Sequence, residues 1–241
     1  VYGYSLQIYC DFSGYTDIAI GVALLLGFRL PINFNSPYKA LNITDFWHRW
    51  HISLSSWLRD YLYIPLGGNR KGKIRTYINL FITMLLGGLW HGASWKFVIW
   101  GGFHGIGLAI HKALKPFLNT HVQDNIWTKF FAWLLTFHFV IFLWIFFRAQ
   151  DFNTAVDMIH QIFFDTNFQY LLAFVDARAI WSLMLLIGFL THAIPEKLNQ
   201  KISLAFVKSP YIVKLVVFII AIQLVIQFRL EEVQPFIYFQ F

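Results

Sequence analysis

Residues 131–147 read FAWLLTFHFVIFLWIFF, seventeen positions without a charged side chain. As a helix rising 1.5 Å per residue, that run covers most of a bilayer core roughly 30 Å thick. A second run, Ile212 to Phe228, carries only Lys214, near its start. Two such runs identify lipid as the solvent for much of the chain. Composition agrees: 58% of the 241 residues are hydrophobic and 20% aromatic, more apolar surface than one water-soluble core hides. The expected fold is therefore all-α, a polytopic transmembrane helical bundle with interfacial amphipathic and re-entrant helices.

A single cysteine, Cys10, rules out an internal disulfide framework and any cysteine-rich metal site. The formal charge of +7 fits basic cytoplasmic loops in a multi-span protein, so no nucleic-acid partner is expected. The chain opens on Val1 with no basic n-region and cleavage site after it, so no signal peptide is read and a longer parent protein is expected.

Working outward, the apolar patterning predicts helices or half-helices at about 1–10, 15–28, 45–63, 76–91, 96–111, 130–147, 180–194 and 211–229. Between Gly67 and Arg75, GGNRKGKIR is a glycine-broken basic loop and the strongest orientation signal, placed in the cytoplasm. If each later run crosses once, the inner side holds ten basic residues, from Arg70 to Lys208. The outer side holds four, Lys96, Arg148, Arg178 and Arg229. His91 then lies about 22 Å along its helix from Thr76, toward the outer face.

The segment 42–63, NITDFWHRWHISLSSWLRDYLY, is richer in charge. At 100° per residue Trp47, Trp50, Leu54, Leu58 and Tyr61 share one face, while Arg49, Ser56, Arg59 and Asp60 share the other. That predicts one amphipathic helix on a membrane interface or beside a polar cavity, capped by Thr44 or Asp45 and ended by Pro65, Gly67 and Gly68. His51 falls inside its apolar stripe and His48 at the edge. Near the start, CDFSGYTDIAIG (10–21) places Asp11 and Asp17 around Gly14, with Ser13 able to cap a following helix; a broken helix is expected there.

Ionisable groups within a membrane are costly, so each is a candidate for function. His91 sits in GGLWHGASW (87–95), where Gly87, Gly88 and Gly92 let a helix or a substrate approach closely. A neutral imidazole there can accept a proton, or simply bond to backbone. His51 can act with it or serve packing alone. His48 and His51 are spaced for a shared metal, but no cysteine or acidic third ligand follows at a familiar interval, so no metal is expected. His104, His111 and His138 read as helix-contact residues, and Asn79 as a hydrogen-bond donor or helix glue. Asp11 and Asp17 either cap the broken helix or line a proton path. The basic loop sets topology and can also meet anionic lipid or a phosphorylated cofactor. No GxSxG, HExxH or P-loop pattern occurs.

Five ordered blocks together carry a resemblance: DFSGYTDIAIG (11–21), NFNSPY (33–38), DFWHRWHISLSSWLRDYLYIPLGGNRKG (45–72), NLFITMLLGGLWHGASW (79–95) and PFIYFQF (235–241). The chain resembles the membrane-bound O-acyltransferase family, within it the bacterial alginate O-acetyltransferase branch, closely over 1–115 and loosely beyond. The resemblance implies that 1–241 is the C-terminal part of a single membrane domain, with the catalytic core motifs in 1–115 and C-terminal transmembrane helices in 116–241. It implies that His91 matches the family's near-invariant histidine, taken as catalytic base, and that His51 matches the second histidine of this branch. It further implies transfer of an acyl group, with acetyl-CoA as the expected ultimate donor, across a bacterial inner membrane toward a polysaccharide such as alginate. Expected partners are the lipid bilayer, extracytoplasmic polysaccharide O-acetylation proteins and an acyl donor or carrier protein. The teichoic acid D-alanyl transferase branch shares the central blocks, while GGNRKG and PFIYFQF favour the alginate-like one. Asn79 and Trp90 are expected to support His91. Two alternatives stay open: a transporter using Asp11, Asp17, His91 and His138, and a scaffold whose partner completes the transfer.

Overall fold

The computed structural model describes residues 1–228. Arg229 and the block PFIYFQF (235–241) lie outside the described residues. Within them the chain is helical, with no strand: α1 Tyr2–Leu25, α2 Ile43–Arg49, α3 Ile52–Leu58, α4 Lys73–Trp90, α5 Trp95–His121, α6 Ile126–Arg148, α7 Phe152–Phe164, α8 Tyr170–Ala177, α9 Ala179–Ala193, α10 Glu196–Lys208 and α11 Tyr211–Phe228. A short 3-10 turn, Pro37–Lys39, precedes α2, and a π turn, Arg59–Tyr63, follows α3.

The centre is an antiparallel hairpin of α4 and α5 held at backbone contact. A Cβ added at Gly88 would stand 2.2 Å from the Phe97 carbonyl, and one at Gly101 would stand 2.3 Å from that of Met84. Glycines are required where two helices touch main chain to main chain. Across this pair lies α6, whose residues Val140, Ile141, Leu143, Trp144, Ile145, Phe146 and Phe147 are all buried because α1, α2, α5 and α7 pack around it. That surround explains the all-round apolar character of 140–147, while Phe131 and Leu135, earlier in the run, are exposed and face lipid.

Three helices, α1, α5 and α6, are long and apolar enough to cross a membrane. The runs expected at 180–194 and 211–229 each belong instead to a pair, α8 with α9 bent by 94° and α10 with α11 bent by 114°, which raises the count to as many as five. On α8 to α11 large apolar side chains point outward, Leu172 being 81% exposed and Val225 68%. Such a surface belongs in lipid, and the molecule is a membrane protein with several spans.

Two expected elements differ. The broken helix at the start is one continuous α1: Gly14 sits inside it with open space around, and Ser13 caps nothing but accepts a hydrogen bond from Thr16 Oγ1 at 2.9 Å. A single glycine costs a helix only about 1 kcal/mol relative to alanine, too little to interrupt so long an apolar run. Conversely, the amphipathic helix expected over 45–63 is broken at Trp50 and His51 into α2 and α3. Its cap is Asn42, whose side chain accepts from the Asp45 N–H at 2.8 Å, not Thr44 or Asp45.

After the break the chain runs back along α4. Leu58 lies against Gly87, and the Gly68 carbonyl accepts from Asn79 Nδ2 at 3.1 Å. This segment therefore folds back along α4 and does not continue as a single helix. It stops before Pro65 and turns through Gly67 (φ 110°) and Gly68 (φ 52°).

Candidate active site

His91 closes α4. Its backbone N–H donates to the Gly88 carbonyl at 3.0 Å, and the chain leaves through Gly92 at φ 154°, a conformation that favours glycine. The half-buried ring is walled by aromatic faces and edges: Trp90 at 5.0 Å, Trp100 at 5.2 Å and perpendicular, and Phe147 at 5.0 Å between centroids. Gly88, one turn earlier, admits α5 and with it Trp100.

His51 is supplied by the break between α2 and α3. It adopts the left-handed conformation, φ 42° and ψ 58°, which an L side chain resists by about 1–2 kcal/mol. The stretch 33–35 holds it there. Asn35 N–H donates to the Arg49 carbonyl at 3.0 Å, Ile52 N–H donates to the Asn33 carbonyl at 3.0 Å, and the Asn33 side chain accepts from Ser53 N and Oγ at 3.1 and 2.7 Å. Bridged from both sides, the break turns the His51 ring inward, edge-on to Phe12 of α1 at 4.7 Å, with Nδ1 3.5 Å from Ser53 Oγ.

The two histidines are joined by one continuous run of ring contacts, from His51 through Phe12 to Phe34, Trp50, Trp144 and Phe147, which faces His91. Residues from α1, the α2–α3 break, α4, α5 and α6 converge on it. Two imidazoles can divide labour there: one takes a proton while the other presents an N–H to a polarised oxygen.

Other candidates stand elsewhere. His48 is exposed, on the far side of the break from the His51 ring. His111 Nδ1 meets Thr44 Oγ1 at 2.8 Å and His138 Nε2 meets Tyr2 Oη at 2.9 Å, both contacts between helices. Asn79 pins the basic loop through Gly68 and lies about 18 Å down α4 from His91, while Trp90 touches the His91 ring directly. Asp17 is exposed on α1. Lys96, counted among outer basic residues, is buried: its Nζ donates to the Ala149 carbonyl at the end of α6 at 2.7 Å. Charge at a helix C-terminus opposes the carbonyl dipoles, which makes that site favourable for a cation. The residues sequence reasoning did not single out are Phe12, Trp100, Phe147 and Asn33. Asn33 and Phe12 left a signal, inside NFNSPY and DFSGYTDIAIG, and Phe147 lies beyond the 1–115 block.

Residues 1–153 match the family model described as MBOAT, membrane-bound O-acyltransferase family. The chain belongs to that family. Among membrane-bound O-acyltransferase relatives it is 53% identical over 156 residues to a peptidoglycan O-acetyltransferase of Helicobacter pylori, which covers 65% of this chain and 29% of that protein. It is 40% identical over 258 residues to a probable alginate O-acetylase, AlgI, of Pseudomonas putida, covering 99% of this chain and 52% of that protein. A teichoic acid D-alanyltransferase of Bacillus subtilis is 35% identical over 162 residues, covering 64% of this chain and 41% of that one. The chain thus spans about half the length, or less, of these relatives.

Proposed function

We propose that the protein is a membrane-embedded O-acyltransferase that moves an acetyl group from a thioester donor on the cytoplasmic side to a hydroxyl of an extracytoplasmic polysaccharide, in a bacterial inner membrane. The observation that carries this reading is the placement of His51 and His91 on one aromatic cluster, His91 walled by Trp90, Trp100 and Phe147 and His51 set against Phe12. The relatives named for O-acetyl transfer to peptidoglycan and alginate support acetyl as the group and a glycan as the acceptor. Identity to the D-alanyltransferase is lower, which places that chemistry second.

In this mechanism the acceptor hydroxyl approaches His91, whose imidazole nitrogen takes the proton as the oxygen attacks the thioester carbonyl carbon. His51 orients the donor or presents an N–H to the oxygen that gains negative charge. As the tetrahedral intermediate collapses, the C–S bond breaks and the imidazolium of His91 returns its proton to the leaving thiolate. General-base assistance of this kind contributes about 10² to 10⁴ in rate. A second route forms an acyl-histidine on His91 first; rapid-quench trapping of that adduct separates the two. Acetyl-CoA is the proposed donor, directly or through a carrier protein. The exposed side chains of Arg70, Lys71 and Lys73 at the other end of α4 supply positive charge for its phosphates. Extracytoplasmic O-acetylation proteins are proposed to receive the group where the polymer itself does not.

The test is polymer O-acetyl content in cells carrying the complete protein with His91→Ala, beside His138→Ala, with membrane levels of each. Loss of ester for His91→Ala alone, at normal protein level, is expected. Normal acetylation by His91→Ala would overturn the assignment.

A further inference from the structure

A third histidine lies behind both others. His104 of α5 is fully buried, and its Nδ1 lies 3.2 Å from Nε1 of Trp47 on α2. An indole N–H can only donate, so Nδ1 is the acceptor and the ring's proton resides on Nε2. That Nε2 has no acceptor among the described residues, so a single hydrogen bond anchors the ring. The rest of its surroundings are aromatic: Phe46 stacked at 6.2 Å and Trp100 edge-on at 4.7 Å. Burying an imidazole with one nitrogen unpaired is costly, so its place is accounted for by what the other nitrogen and the ring hold. Here the task is geometric. Through Trp47 the ring fixes α2, which leads into His51 four residues later; through Trp100 it backs the wall that stands 5.2 Å from His91. Trp47 and Trp100 also touch one another at 5.8 Å, closing a triangle of three rings.

We propose that His104 is a positioning residue that sets the separation of His51 and His91, acting through Trp47 on one side and Trp100 on the other. The catalytic consequence rests on the acyltransfer reading; the geometric one does not. An apolar side chain such as leucine fills much of the space but leaves the Trp47 N–H buried without a partner, whereas asparagine places an amide oxygen where Nδ1 stands. Glutamine places its amide where Nε2 stands.

The experiment therefore compares His104→Leu, His104→Asn, His104→Gln and Trp47→Phe in the complete protein, reading ester content per membrane-resident molecule. A loss of about ten- to a hundredfold is expected for His104→Leu, the scale of a misplacement near 1 Å. His104→Asn should recover most of it and His104→Gln little. Trp47→Phe should match His104→Leu, and the two together should fall no further, since they remove one interaction. Wild-type ester from His104→Leu, or equal loss from Asn and Gln, overturns the proposal. Should His104→Leu fail to accumulate, Asn against Gln decides at equal level, and poor accumulation of Asn as well counts against it.

Geometry is read separately with nitroxides at the exposed positions His48→Cys, on α2 next to Trp47, and Ala93→Cys, just beyond His91, in a Cys10→Ser background. His104→Leu should change their dipolar broadening and His104→Asn should not; no change in either refutes the positioning claim even if His91→Ala retains activity. Loss of ester in His91→Ala with unchanged His104 variants leaves the acyltransfer reading standing and removes only this one.

Discussion

His51 occupies a backbone conformation that its own side chain disfavours. Asn33 and Asn35 hold it there, and strained residues of this kind gather where a side chain must be aimed. Strain and chemistry separate by substitution. His51→Gly relieves the left-handed penalty while adding chain entropy to the unfolded state, so thermal unfolding in mild detergent should shift by no more than about 1 kcal/mol. Ester formation should nevertheless fall by at least tenfold, because the imidazole is gone. Asn33→Ala should do the reverse in part, costing about 1 kcal/mol through the two lost Ser53 hydrogen bonds while leaving the imidazole present but poorly aimed. At this scale His91 was legible from its glycine-flanked motif. The apolar stripe already turned His51 inward; the break on which it sits was not legible, because no glycine or proline marks it and Asn33 acts from eighteen positions away in the chain.

The α4–α5 hairpin shows what a glycine means in context. Gly88 and Gly101 face carbonyl oxygens closer than any Cβ tolerates, whereas Gly14 on α1 meets nothing within 4 Å. Gly88→Ala or Gly101→Ala should therefore push the helices apart, cost about 1–3 kcal/mol or more, and lower the amount of protein recovered from membranes. Gly14→Ala should be neutral or stabilising by up to about 1 kcal/mol in the same assay. The sequence marked Gly88 as a place of close approach, as the hairpin shows, and Gly14 as a break, which the open space around it in a continuous helix overturns. The same logic explains why α1 reads as broken and is not. It also explains why 45–63 reads as one amphipathic helix and is two: the 100° periodicity persists across Trp50, and only contacts with the 33–35 stretch override it. The transporter alternative drew on a broken first helix with intramembrane acids; α1 is continuous, which removes the break, while Asp11 and Asp17 both lie within it.

For the whole molecule, long uncharged runs and aromatic content were enough to set an all-α membrane architecture. The bends within α8–α9 and α10–α11 were hidden because composition alone does not reveal direction. Orientation is read by labelling. The exposed Arg70, in the basic loop, and exposed Ala93, just beyond His91, lie at opposite ends of α4. In a Cys10→Ser background, Ala93→Cys should react with an impermeant maleimide in intact spheroplasts, and Arg70→Cys only after permeabilisation. The opposite labelling would invert the direction of transfer.

The central claim is that two imidazoles delivered by different elements serve one chemical step. The most direct measurement is a double-mutant cycle on the initial rate of ester formation in the complete protein, with His51→Ala, His91→Ala and the pair. Groups that act as a unit are strongly non-additive, so the pair should be no slower than His91→Ala alone. Losses that multiply, or a His51→Ala variant as fast as wild type, would contradict a shared site.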